Sequence, residues 1–427
     1  MRTIREALQS HQPNFLIGLF LTALFVRVAV VGFFHYRSPG FVFPDSEQYD
    51  KVAANVLDGR GLILREERKA QRPPAYPVFM ILCGRNLLVI RLAQAAAGAL
   101  SCVLLVMLCR ELFQSDAAAK LCGIGLAFEP FNIFFTRLVL TETLHTTLML
   151  AVMLMIVRAL KAAAEQTEAA AERQHYSLRF AAVGGGLLGL AILVKPAMLL
   201  MPPFLLPFCV GFQAKRRSIE IWAVCCLCTA LVMSPWIIRN YVVLNAFIPT
   251  TTQGGESLWE SNSPRADGGP MMDQEYWPEG ADDLPEVERD KAMSAAAKKF
   301  ILENPGRFLE LCLIRWGRFW NVLLNFEQYR KPLYITISIL ATVPLYVLAL
   351  AGLFIGWRKN WRTTILCLAP IAYTAGLHLV FVGSVRYRIP IIPYLLCLAG
   401  VALAHWFRLE DLDSAKPGHE SSQPNTE

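Results

Sequence analysis

Ten apolar stretches punctuate this chain, at 14–35, 90–109, 118–136, 142–160, 179–194, 197–213, 219–237, 333–357, 363–383 and 389–407. Most approach the ~20 residues that an α-helix needs to cross a hydrocarbon core. In lipid a chain must satisfy its own backbone polar groups, which leaves helices or a closed barrel, and windows of this length are helical. Composition agrees, since only 18% of the 427 residues are charged and 55% are hydrophobic. Soluble domains carry about 25% charged residues. The sequence predicts an all-α integral membrane protein with about ten transmembrane helices.

Lys and Arg set the orientation, because short cytoplasmic loops keep an excess of them. With the N-terminus inside, the cytoplasmic ends carry Arg2 and Arg5, Arg110 and Lys120, Arg158 and Lys161, and Lys215 to Arg217. Arg358, Lys359, Arg362 and Arg408 continue the series. The opposite side holds a loop with eleven Asp or Glu between Glu256 and Asp290 and only Arg265 and Arg289 against them. The expected arrangement is a bacterial inner-membrane protein with both termini cytoplasmic. Its net charge of +7 then reflects the inside bias and not a nucleic-acid partner. The first apolar stretch is too long for a cleavable signal, contains Arg27 and lacks a small-residue cleavage site. It reads as a signal-anchor. Arg27, inside a span, is a site candidate or half of a structural ion pair. Most of the eleven cysteines fall in apolar spans, where Cys packs as a small hydrophobe, and Cys225, Cys226 and Cys228 make no metal site.

The chain divides into a transmembrane module, 1–240, with a first outer loop at 36–89, then a second outer segment at 241–332. C-terminal helices at 333–408 and a disordered cytoplasmic tail at 409–427 complete it. In the first loop Tyr49, Val52, Val56 and Leu57 share a helical face, which predicts a short interfacial helix over 46–57. Asp45 or Ser46 would cap it, and Gly59 and Gly61 would end it. A second short helix, 76–89, follows Arg72-Pro73-Pro74. The larger loop predicts a helix near 286–303 and then RFLELCLIRWGRFWNVLLNF, whose Trp and Arg favour the headgroup zone.

Chemistry gathers at the outer ends. Asp45-x3-Tyr49, Arg72-Pro73-Pro74-x-Tyr76-Pro77, Thr141-Glu142-Thr143-Leu144, Lys195-Pro196, Pro235-Trp236-x-x-Arg239-Asn240 and Arg386-Tyr387-Arg388-x-Pro390 follow one another. This order resembles the membrane glycosyltransferases of the GT-C fold. It is most similar to the branch of the protein O-mannosyltransferases and lipid A aminoarabinose transferases, a glycosyltransferase family 39-like group. The resemblance covers about residues 14–262 and weakens beyond them.

The resemblance implies an enzyme that transfers a sugar, with inversion, from a polyprenyl-phosphate donor to a lipid, glycan or protein acceptor at the extracytoplasmic face. It aligns Asp45 with the family's catalytic carboxylate, Arg72 with its basic residue before Pro-Pro, and Tyr49 with the tyrosine after the acid. A carboxylate on the acceptor side suits a general base, and fixed cations suit a phosphate leaving group. The candidate phosphate ligands are Arg72, Lys195, Arg239, Arg386 and Arg388. The candidate positioning residues are Tyr49, Glu47, Tyr76, Glu142 and Asn240. Plainer readings stand beside these: Asp45 as a helix cap, Arg72 and Lys195 snorkelling to headgroups, Glu142 placed for the helix dipole, and Tyr387 an interfacial anchor. Glu142 and His145 share a helical face, a weak metal pair that leaves a divalent cation open but unsupported, and no cofactor is certain. Here the family's adjacent Asp-Glu pair is Asp45-Ser46-Glu47, and the C-terminal region is short. The alternative class is a transporter or lipid flippase, against which stand the absence of a sequence repeat and the scarcity of mid-span charge.

Overall fold

A computed structural model describes residues 13–37, 40–164, 170–212, 215–270, 277–325 and 331–409. Arg2, Arg5, the tail beyond 409, and Asp273 and Glu275 of the acidic loop lie outside the described residues. Within them the chain is helical. In order come α1 (Pro13–Arg37), α2 (Pro44–Leu57), α3 (Ala75–Leu82), α4 (Leu87–Phe113), α5 (Asp116–Phe128) and α6 (Pro130–Thr136). Next are α7 (Glu142–Ala164), α8 (Ala170–Val194), α9 (Met201–Phe212), α10 (Lys215–Leu244) and α11 (Gly254–Ser261). The last are α12 (Glu286–Glu303), α13 (Pro305–Phe319), α14 (Pro332–Val380), α15 (Val385–Arg388) and α16 (Ile392–Trp406).

Seven helices among the described residues are long and apolar enough to cross a membrane, and the bent pair α5–α6 makes an eighth. One of the seven, α14, has 49 residues, about 74 Å of helix, more than twice one hydrocarbon thickness. It is two helices, each long enough for one crossing, joined at Asn360, whose φ of −156° and ψ of 94° leave the helical region. Asn360 Oδ1 accepts from the backbone N–H of Arg362 and Thr363 and so opens the second half. The stretches expected at 333–357 and 363–383 are these halves. The stretch expected at 197–213 is the short apolar segment Pro196–Gly211.

The span expected at 118–136 is broken. Pro130 offers no N–H and biases Glu129 toward extended backbone, and the chain bends by 50° there. Glu129 then caps α6, accepting from the N–H of Phe131 and Asn132. The carbonyls released at the end of α5 meet Arg27 of α1, whose guanidinium donates to Leu126 O at 3.0 Å and Ala127 O at 3.3 Å. The ion pair considered for Arg27 is therefore a carbonyl cap. Gly98 on α4 makes room for it, since a Cβ there would lie 2.7 Å from Arg27 Nε.

The core forms where α7 packs on α8 and α4, α14 on α16, α8 on α10, and α1 on α4. At one end the bases are paired: Arg158 and Lys161 with Glu111, Arg110 and Lys120 with Asp116. Glu142 starts α7 at the opposite end, about 35 Å away along a 23-residue helix. Above that end lie α2, α3 and α11 to α13. α13 has 15 residues, about 22 Å, too short to span. It exposes Leu309, Leu313 and Trp316 while burying Arg315 and Phe319.

Glu286, at the start of α12, ties the two outer segments together. Its carboxylate accepts from Lys69 N at 2.6 Å, Ala70 N at 2.9 Å and the Thr252 hydroxyl. Thr252 N in turn donates to Ala70 O.

Candidate active site

Asp45 lies in the first turn of α2, after Phe43 at the cap position and Pro44 at the first helical one. The cap makes no side-chain hydrogen bond, so the carboxylate expected at Asp45 as a cap is turned elsewhere. A helix rotates about 100° per residue, which sets Asp45, Gln48, Tyr49 and Val52 on one face and Glu47 about 200° away from Asp45. Glu47 is exposed and lines a separate hollow with Lys51 and Arg65. Gly59 and Gly61, with φ of 78° and 83°, turn the chain back after α2.

The return brings Arg72 onto Asp45. Arg72 Nη2 donates to Asp45 Oδ1 at 2.8 Å, Nε to Gln48 Oε1 at 2.8 Å, and Nη1 to Gln253 Oε1 at 3.2 Å. From the far end of the sequence Arg386 Nη1 donates to Asp45 Oδ2 at 2.9 Å. Burial alone would raise the Asp45 carboxyl, but the Arg386 and Arg72 guanidiniums outweigh it and hold it well below the usual carboxylate range. Tyr49 lies beneath Arg72, 5.3 Å from guanidinium carbon to ring centre. Burial pushes its phenol up to about 12, so it is a neutral hydroxyl.

A second acid sits deeper. Glu142 Oε1 accepts from Arg386 Nε at 2.6 Å and Lys195 Nζ at 3.2 Å. Lys195 holds extended backbone between α8 and the turn Pro196–Met198, and its ammonium stands 5.1 Å from the Tyr387 ring centre. Burial lowers the Lys195 ammonium, and Glu142 offsets part of that. The Glu142 side chain is 0% exposed and that of Asp45 is 29% exposed, so of these two acids Asp45 is the one a substrate can touch.

Asp45, Tyr49, Arg72, Lys195 and Arg386 share a cavity of about 570 Å³ with Thr141, and the second outer segment walls it with Gln253, Glu256, Trp259, Glu260 and Trp277. That wall was missed in sequence because it carries no periodicity. Tyr387 was expected as an interfacial anchor. It lines this cavity and stacks on His378, with ring centres 4.3 Å apart.

Other candidates lie outside the cavity. Arg388, two residues past Arg386, faces the other way and donates to Asn321 O at 2.6 Å and to the Tyr346 hydroxyl. Arg239 donates to Leu62 O at 3.0 Å and Lys69 O at 2.9 Å, anchoring the first outer loop, and Asn240 Nδ2 donates to Ile248 O. Tyr76 packs beneath Tyr49 and donates to Gln94 Oε1 at 2.7 Å. His145 is buried one turn beyond Glu142. Among the described residues no third His, Cys, Asp or Glu donor joins that pair, whereas the thiols of Cys109, Cys122 and Cys397 do lie within 4.8 Å of one another.

Residues 75–238 match the sequence model of the dolichyl-phosphate-mannose-protein mannosyltransferase family. No curated protein matches the chain in sequence. Among solved structures, the Archaeoglobus fulgidus oligosaccharyltransferase tethered to an acceptor peptide aligns at a TM-score of 0.58 and 14% identity, over 94% of this chain and 51% of that one. The same organism's oligosaccharyltransferase AglB, in complex with an inhibitory peptide and a dolichol-phosphate, aligns at 0.57 and 12%, over 94% and 52%. The chain thus spans about half the length of these enzymes. ArnT from Cupriavidus metallidurans bound to undecaprenyl phosphate aligns at 0.43 and 13%, over 91% and 77%, a likeness too weak to build on. The chain is an all-α membrane protein of the GT-C fold, and its residues 75–238 carry the sequence pattern of the dolichyl-phosphate-mannose-protein mannosyltransferases.

Proposed function

We propose that this chain is an inverting glycosyltransferase that takes a sugar from a polyprenyl-phosphate donor and acts at the extracytoplasmic face of a bacterial inner membrane. The observation that carries the proposal is the partly exposed carboxylate of Asp45, set in a cavity with Arg72, Lys195 and Arg386. Asp45 is the general base for an acceptor hydroxyl on a lipid, glycan or protein. Lys195 and Arg386 receive the phosphate on which negative charge grows as the sugar departs. A positioned base contributes about 10²- to 10⁴-fold in rate, and preorganised cations usually contribute more.

The dolichol-phosphate named in the AglB complex and the dolichyl-phosphate-mannose in the matched family's name are both polyprenyl-phosphate lipids. The paired bases at the other end of the bundle favour the cytoplasm for that end and the outer face for Asp45. The test is Asp45→Asn in a strain lacking the native copy. Lipid-linked sugar accumulates, and transfer falls by at least 100-fold with the variant present at normal level. An Asp45→Asn enzyme of full activity removes the proposal.

A further inference from the structure

The cations of the cavity are all committed. Arg72 binds Asp45, Arg386 binds both Asp45 and Glu142, Lys195 binds Glu142, and Arg68 lies 3.7 Å from Glu256. An incoming phosphate therefore meets no unpaired cation on these walls and must take one from a carboxylate. The four are not equally available. Arg72 is also held by Gln48 and Gln253, so its three nitrogens are all engaged. Lys195 has a single carboxylate contact and two further N–H groups to offer. Among the described residues the Arg386 guanidinium donates to the two acids, lies against the Phe43 and Tyr387 rings, and is the side chain that touches both acids.

Asp45 feels the same contest from its own side. With a guanidinium on each oxygen it is a poor proton acceptor, because an effective base has a pKa near the working pH. Losing one guanidinium makes it a better base and opens Oδ2. Arg72, still held by the two glutamines, keeps Oδ1 in place.

Resting on the glycosyltransferase reading above, we propose that the donor phosphate binds between Lys195 and Arg386 by drawing Arg386 away from Asp45, so that the base becomes competent only once the donor is seated. Binding is then ordered, donor before acceptor. In the transfer step the acceptor O–H proton passes to Asp45 Oδ2 while the acceptor oxygen bonds to the sugar's anomeric carbon. The bond from that carbon to the phosphate oxygen breaks, and its electron pair leaves on the phosphate held by Lys195 and Arg386. When the lipid phosphate departs, Arg386 returns to Asp45.

The proposal makes Asp45 a competitor of the phosphate, so removing its charge must strengthen phosphate binding. The experiment measures the dissociation constant of farnesyl phosphate, with farnesol as the uncharged control, for detergent-purified wild type, Asp45→Asn, Asp45→Ala and Lys195→Gln. Melting curves verify that each variant is folded. The expected result is at least tenfold tighter farnesyl phosphate binding by both Asp45 variants with farnesol unchanged. Unchanged or weaker binding by both, with Lys195→Gln still impaired, overturns the competition and leaves the phosphate site standing. Lys195→Gln binding as wild type does removes the phosphate site, and the glycosyltransferase reading with it.

Discussion

Lys195 and Arg386 converge on a single oxygen, Oε1 of Glu142, at 3.2 and 2.6 Å. One buried acid thereby fixes the spacing of two cations that lie nearly two hundred residues apart in the chain. Removing one partner from a buried ionic cluster costs about 3–5 kcal/mol. Glu142→Gln is therefore expected to melt well below wild type in detergent, and Glu142→Asp to recover part of the loss. An unshifted melting curve for Glu142→Gln would show that the cluster contributes nothing to the fold.

Arg386 and Arg388 should separate by kind of defect. Arg386→Lys keeps the charge and loses the fork that reaches both acids, and hydrogen bonds to charged groups are worth about 1.5–3 kcal/mol. The expected effect is a 10- to 100-fold loss in kcat/KM for the donor at near-normal stability. Arg388→Lys abandons carbonyl and hydroxyl partners in the core and should lower the melting temperature, with the folded fraction binding donor normally. Steady-state kinetics beside thermal melts decides it, and a reversed pattern refutes the assignment.

Acid should act on stability through Asp45. Its folded carboxyl lies below the unfolded value of about 3.9, so its contribution is complete above that value and is lost as pH falls from there toward the folded pKa. Arg72, Arg386 and Tyr49 face it directly, with Lys195 and Glu142 behind them. Between about pH 4 and 2 the wild type should lose more stability than Asp45→Asn. Parallel melting curves across that window would disprove the pairing.

Arg239 predicts a local effect. Arg239→Met removes the donors to Leu62 O and Lys69 O, so backbone amides near 60–72 should exchange faster with solvent. Farnesyl phosphate affinity should stay within about threefold, since losses at a distance from a site generally add independently of it. Exchange unchanged across 60–72 would mean that the loop is held by other contacts.

Sequence made the spans, the interfacial α2 and α12 legible because each rests on local pattern: apolar length, a shared helical face, a Pro or Gly at the end. It could also gather Asp45, Tyr49, Arg72, Lys195 and Arg386, since all fall at one end of neighbouring helices. Local pattern could not rank Arg386 against Arg388, whose difference is a 200° rotation, nor see that Arg239 faces carbonyls. Gln48, Gln253 and Trp259 were hidden for another reason. They acquire meaning only when the two outer segments meet at Glu286, a contact across 216 residues that no local spacing announces.

The cap that Arg27 places on α5 bears on how the protein is made. Its carbonyl partners, Leu126 and Ala127, emerge from the ribosome about a hundred residues after it. Until then the first span carries a charge whose insertion costs about 2.5–3.5 kcal/mol. That segment should therefore linger beside the insertion machinery and pass into lipid only when the third span arrives. Crosslinking of chains arrested before and after residue 127 to the translocon would read that handover directly, with persistence before it and release after it.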